Sequence, residues 1–337
     1  MTTVERLHAT GILRRGTPGR GFRYQTSTRN RVSQKDLARI DRLKIPPAWT
    51  SVAINATDSG RVQAVGQDMA GRWQYLYHEN HVRKREREKF LRVIKFAEQL
   101  PAIRKTVSRD LRKSGLERDR VLAGLVRILS ISFLRPGSEV YASENGSYGV
   151  TTLRPRHVSV KANTITFEFP GKSGVTQHSE FEDRQVGRLM RQLTKHTNRK
   201  VFKYENGDGK LMDVTGKNIN DYIRAAMGRF SAKDFRTWSG TLVCACALAR
   251  EENASEKKRP ILKRKVVQAI KETAKALGNT PAVCRSAYIC PAIIDAFESG
   301  RTITDCFATV DQLIAYRGTN LHPAEKALLR LLKQEIA

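Results

Sequence analysis

Acidic side chains are scarce in this sequence. Against 61 Lys and Arg the 337 residues set only 33 Asp and Glu, leaving a formal charge of +28. The deficit is widespread: residues 1–50 carry 11 basic against 3 acidic side chains, 151–200 carry 10 against 4, and 301–337 carry 5 against 4. The densest acidic group, Glu180, Glu182 and Asp183, falls where a helix is expected to start and favours its dipole, so it does not read as a metal site. Cysteine is also sparse. Cys244, Cys246, Cys284, Cys290 and Cys306 are odd in number and contain no CxxC pair, which argues against a disulfide framework and against structural zinc. They read as small hydrophobes buried in helices. There is no run of about 18 apolar residues to span a bilayer, and the Met1 end lacks the apolar stretch of a secretory signal. These absences lead to the expectation of a soluble, cytoplasmic protein without a membrane association.

What is present is positive charge on a chain able to fold. Hydrophobic residues make up 40%, enough to bury real cores, so a disordered basic tail is ruled out, and the length predicts two domains. A chain this positive is expected to lie against a polyanion. Nucleic acid is the leading candidate, because each neutralised phosphate releases counterions.

The first 25 residues are rich in Arg and Gly and lack a sustained period, so they are expected to form a mobile arm or a loosely laid strand. Ser33 to Leu43 reads as an amphipathic helix capped by Ser33 and stopped before Pro46-Pro47. Short alternating stretches at 51–56, 61–66 and 72–77 then predict a small sheet. From His81 the period becomes helical, with a further helix from Arg118 to Ser132. A three-strand meander follows at 158–160, 164–169 and 175–181, with Lys172 on its second turn. Helices are predicted over 183–196, 217–228, 239–252, 260–277, 281–298 and 323–335. The fold class is therefore α+β: a small N-terminal β-sheet domain with helices at 26–85, behind an arm at 1–25, and a larger, mainly α-helical domain at 86–337 carrying the meander.

Four segments carry possible chemistry. Leu134-Arg135-Pro-Gly leads into a polar ENGSYG loop; Gly171-Lys172-Ser-Gly places a lysine on a hairpin turn; Lys233-Asp-Phe-Arg236-Thr-Trp-Ser-Gly240 sends an arginine into a helix; and Asn279 precedes Tyr288 by nine residues, two turns into the predicted 281–298 helix. Singly, each is an ordinary junction, turn or core residue. Together, in the order Arg, Lys, Arg, Asn, Tyr, the set resembles the active site of type IB DNA topoisomerases, specifically the short poxvirus-like and bacterial members.

The resemblance covers nearly the whole chain. Arg135 with Gly137 and Tyr141 is similar to the family's first arginine motif, Lys172 to its hairpin lysine, Arg236 to the arginine of KDxRTWxGT, and Tyr288 to the tyrosine of S-Y-I-x-P. Ile45-Pro-Pro-Ala-Trp49 and Gly71-Arg-Trp-Gln-Tyr-Leu-Tyr-His78 resemble its DNA-facing domain. The sequence departs from the family where Ala287, Cys290 and RPGS replace the more usual Ser or Thr, His and RVGN. The resemblance implies a monomeric, nucleoid-associated enzyme that closes as a clamp around duplex DNA and uses neither ATP nor a metal. It implies Tyr288 as nucleophile, Arg135, Arg236 and Asn279 as transition-state partners, Lys172 as general acid, and Gln74, Tyr75, Tyr77, Tyr141 and Lys233 as DNA contacts. Two alternatives remain open at this level: a tyrosine site-specific recombinase with a similar constellation, and a noncatalytic DNA-binding protein of the same fold.

Overall fold

Thr2 and Glu5 cap one another's backbone N–H groups and start a helix, within the segment expected to be a mobile arm or a loosely laid strand. The computed structural model describes residues 1–195, 199–251 and 259–336; His196 and Glu252, the last residues of two predicted helices, lie outside them. The chain divides into two units, Met1–Lys89 and Phe90–Ala337.

In the first unit, α1 (Thr3–Thr10) leads into β1 (Ile12–Thr17) and β2 (Gly21–Thr26), followed by α2 (Gln34–Arg42), β3 (Thr50–Ile54), β4 (Val62–Gln67) and β5 (Trp73–Tyr77). The strands form one antiparallel sheet in the order β2-β1-β3-β4-β5. Helix α1 packs Leu7 against Ala53, Val62 and Val65 on one face; α2 packs Ile40 against Ile12, Val52, Ile54 and Ala64 on the other. Residues 1–25 thus form a helix, a full strand and most of another, so the strand alternative and not the mobile arm describes them. Their alternation was hidden because an inward position is filled by arginine. Arg14 is 9% exposed, donates to the carbonyls of Pro46 and Trp49, and lies over the Phe22 ring at 4.2 Å. A guanidinium satisfied in this way occupies a position that a pattern-based reading reserves for an apolar residue.

Helix α3 (Glu79–Asp110) begins in the first unit and ends in the second. The second unit is built on α4 (Arg118–Ser132) and α8 (Ala232–Arg250), both buried almost all round. Between them come α5 (Glu139–Asn145), the meander β6 (Val158–Lys161), β7 (Thr164–Pro170) and β8 (Thr176–Glu182), α6 (Arg184–Lys195), a short hairpin β9 (Lys203–Glu205) and β10 (Leu211–Asp213), and α7 (Gly216–Met227). After α8 come α9 (Arg259–Leu277), α10 (Pro281–Ala287), α11 (Pro291–Glu298), α12 (Val310–Ala315) and α13 (Pro323–Ile336). Helices α6, α7 and α8 pack on α4, and α9 and α13 pack on α8. The architecture is α+β.

Two differences from the sequence reading bear on the site. Helix α8 starts at Ala232 rather than 239, because the Asp234 carboxylate takes up the Ser231 N–H and hydroxyl and holds the first turn. The predicted helix 281–298 is two helices. Pro291 disfavours the helical conformation in the residue before it, and Cys290 is extended at φ −70° and ψ 121°. Tyr288 therefore closes α10 as its C-cap instead of lying within a continuous helix. No helix among the described residues is long and apolar enough to cross a membrane.

Candidate active site

The break between α10 and α11 seats Tyr288 against α8. Gly240 makes the approach possible: a Cβ there would lie 2.9 Å from both the Cβ and the carbonyl oxygen of Tyr288. One residue on, the Thr241 hydroxyl sits 3.1 Å from the Tyr288 carbonyl and accepts the Cys290 N–H at 3.2 Å. This pins the non-helical backbone on both sides of the tyrosine ring. Thr241 has no assigned role in the sequence reading, although it stands in the same motif as Arg236.

One turn earlier on α8, Arg236 is 2% exposed with its Cζ 4.9 Å from the centre of the Tyr288 ring. Its Nη2 donates to the Leu277 carbonyl at 3.0 Å and its Nη1 to that of Phe133, which ends α4 in the left-handed region at φ 54°. Three separate segments are thereby tied to one guanidinium. Its Nε–H is buried without a partner. Such an orphaned donor is uncommon and marks strained or functional places.

Arg135 follows Phe133 and Leu134 and is half-buried. The loop after α5 folds back on it, with Val150 N–H donating to the Arg135 carbonyl at 2.9 Å and Thr151 N–H to that of Pro136 at 2.8 Å. Arg135 Nη2 donates to Asn279 Oδ1, while Asn279 Nδ2 is a second buried donor without a partner. Asn279 is itself placed by the end of α9, where its N–H closes on the Ala274 carbonyl at 2.9 Å.

These cations change the chemistry of the phenol. Burial raises the pKa of Tyr288, but the charge and hydrogen bonding of Arg236, with smaller contributions from Arg135 and Lys233, pull it the other way, and the net position is below the ordinary value near 10. Arg236 is in turn lowered, first by burial. A half-buried tyrosine whose phenol is lowered by fixed cations is suited to nucleophilic attack.

Arg135, Arg236, Asn279 and Tyr288 thus come together. Lys172 does not join them: it is exposed on a one-turn 3-10 helix at Lys172–Gly174 between β7 and β8, with no ion pair or hydrogen bond to a described residue. The expected DNA contacts are distributed. Tyr75 is 39% exposed and stacked on Tyr77 at 6.3 Å, whereas Gln74 points to the opposite face of β5 and donates to Asp68 at 2.9 Å. Trp73, 37% exposed, shares the face of Tyr75; its place two residues before Tyr75 was the sequence signal for it. Tyr141 is exposed on α5, and Lys233 is exposed in the first turn of α8. Among the described residues no group of three or more His, Cys, Asp or Glu is placed to hold a metal ion. Cys244 and Cys246 are buried in α8, their thiols pushed up to about 12 chiefly by burial, and Cys284 and Cys290 are buried too, whereas Cys306 is exposed and outside any helix, against the expectation for all five.

Comparison with known proteins agrees with this geometry. Residues 78–298 match the family described as eukaryotic DNA topoisomerase I, catalytic core, and residues 21–68 match the bacterial DNA topoisomerase IB N-terminal domain. The chain is 33% identical over 295 residues to DNA topoisomerase 1B of Acanthamoeba polyphaga mimivirus, covering 86% of this chain and 88% of that one. It is 24% identical over 262 residues to DNA topoisomerase 1B of Vaccinia virus (strain Western Reserve), covering 76% and 80% respectively. With the catalytic-core match spanning every member of the Arg, Lys, Arg, Asn, Tyr set, the chain belongs to the type IB DNA topoisomerases.

Proposed function

We propose that the protein relaxes supercoiled double-stranded DNA by transient cleavage of one strand, with neither ATP nor a metal ion. Tyr288 attacks a backbone phosphate, its oxygen forms a bond to phosphorus, and the bond to the 5′ oxygen breaks. The product is a 3′-phosphotyrosyl link and a free 5′ hydroxyl. One phosphoester replaces another of similar energy, so no nucleotide is consumed and the reverse step reseals the strand after rotation.

The observation that carries this reading is the seating of Tyr288 under Arg236, with its phenol held below the ordinary value in spite of burial. The pentacoordinate transition state concentrates negative charge on the nonbridging oxygens. Arg236 and Arg135 meet that charge with permanently ionised, planar forks, and Asn279 adds a neutral donor. Charge neutralisation is thereby supplied by side chains. The departing 5′ oxygen needs a proton, which Lys172 supplies from its turn as the leaving bond breaks. Gln74, Tyr75, Tyr77, Tyr141 and Lys233 contact the duplex, mostly through its phosphates. The protein acts as a monomer on the nucleoid in the cytoplasm.

Quenching a reaction on an end-labelled nicked duplex with denaturant tests the chemistry. Label should become attached to protein through a 3′ phosphate, and peptide mapping should place the adduct on Tyr288. A 5′ linkage, or an adduct on another residue, would refute the assignment.

A further inference from the structure

On β8 the inward positions alternate as Gln177, Ser179 and Phe181, and on the paired strand β7 Phe169 lies directly opposite Gln177. An apolar residue is expected at 177. A glutamine stands there instead, 9% exposed, with Nε2 donating to the Val175 carbonyl over a long 3.4 Å. Placing an amide at a buried position for so long a bond gains little from hydrogen bonding.

What it touches is informative. The same Val175 carbonyl accepts the Gly171 N–H at 2.9 Å and closes the turn that carries Lys172. The side chain then passes between two glycines far apart in sequence. A Cβ on Gly171 would lie 2.5 Å from Gln177 Cγ, and a Cβ on Gly278 would lie 2.3 Å from Gln177 Oε1. Gly278 sits at φ +59° and immediately precedes Asn279, the residue that accepts from Arg135. The glutamine amide therefore packs on the base of the lysine turn and on the corner that holds the arginine and asparagine.

Resting on the reading of Lys172 as proton donor, we propose that Gln177 is a positioning residue that joins the Lys172 turn to the Gly278–Asn279 corner and so sets where the lysine delivers its proton. In the step concerned, the Tyr288 oxygen–phosphorus bond forms, the phosphorus–5′ oxygen bond breaks with its electron pair going to oxygen, and an ammonium proton moves from Lys172 to that oxygen. Gln177 touches none of these atoms.

The test is single-turnover cleavage of one duplex made with either oxygen or sulfur at the 5′ bridging position. An alkyl thiolate, from a thiol of pKa near 8.5, leaves without an acid. Gln177→Ala and Gln177→Met should each slow the oxygen substrate about tenfold or more and cut the sulfur substrate at the wild-type rate. Gln177→Met keeps the side-chain volume and decides the matter if the alanine variant is unstable. Wild-type cleavage of the oxygen substrate, or equal slowing on both substrates, overturns the proposal. Lys172→Ala separates the two levels. If sulfur fails to restore that variant, the proton-donor reading fails; if sulfur restores it but not the Gln177 variants, Gln177 alone is misassigned.

Discussion

Tyr288 is the residue on which the electrostatics converge. Its phenol is buried enough to be raised, and the cations around it, chiefly Arg236, reverse that effect. Removing the Arg236 charge leaves burial less opposed, so Arg236→Gln should move the alkaline midpoint of single-turnover cleavage to higher pH. It should also lower the plateau rate by about 10²–10³, the loss seen when one fixed donor to a developing anion is removed. A pH profile unchanged by the substitution would show that Arg236 does not control the phenol. The four residues that the fold brings together, Arg135, Arg236, Asn279 and Tyr288, could be singled out in the sequence because their order and spacing are specific, whereas Lys172 stands apart from them on its turn. Gln177 was not, since the two glycines it joins, Gly171 and Gly278, are more than a hundred positions apart and their proximity exists only in the fold. Thr241 was obscured differently: a threonine inside a helix reads as ordinary until the broken backbone around Tyr288 is seen to hang from its hydroxyl.

At the level of elements, long periodic segments were readable and short or polar-started ones were not. Helices α4, α6, α7, α9 and α13 lie close to where their apolar period places them. The hairpin β9–β10 has three residues per strand and α12 has six, too few to establish a period. The start of α8 is hidden in the sequence because its first turn is charged, and the apolar period runs across 281–298 although Pro291 starts a new helix there. That break places Tyr288 on a cap pinned to α8. The N-terminal hairpin is the larger correction. If β1 and β2 are a true part of the sheet, backbone amides of Ile12 and Leu13, placed between β2 and β3, should exchange slowly with solvent even without DNA. Exchange at the unprotected rate across residues 12–26 would return the segment to the status of an arm.

On the scale of the whole molecule the dominant quantity is the formal charge of +28. Many of the cations are held in ion pairs, such as Arg104 with the buried Glu325 and Arg92 with Asp234; it is the excess over acidic groups that remains to meet phosphate. With about eight phosphate contacts, duplex affinity should fall roughly a thousandfold or more between low and physiological salt. Binding titrations across that range should give a steep linear dependence on the logarithm of salt concentration, and a flat one would mean that the charge is not used for DNA. Net charge alone named a polyanion without distinguishing packaging from catalysis. Membership of the type IB DNA topoisomerases makes that distinction. The central claim is tested most directly by incubating supercoiled plasmid with the purified protein in EDTA and without ATP, beside the Tyr288→Phe variant. The account predicts full relaxation by the wild-type protein and none by the variant; relaxation by Tyr288→Phe, or an absolute need for magnesium, would contradict it.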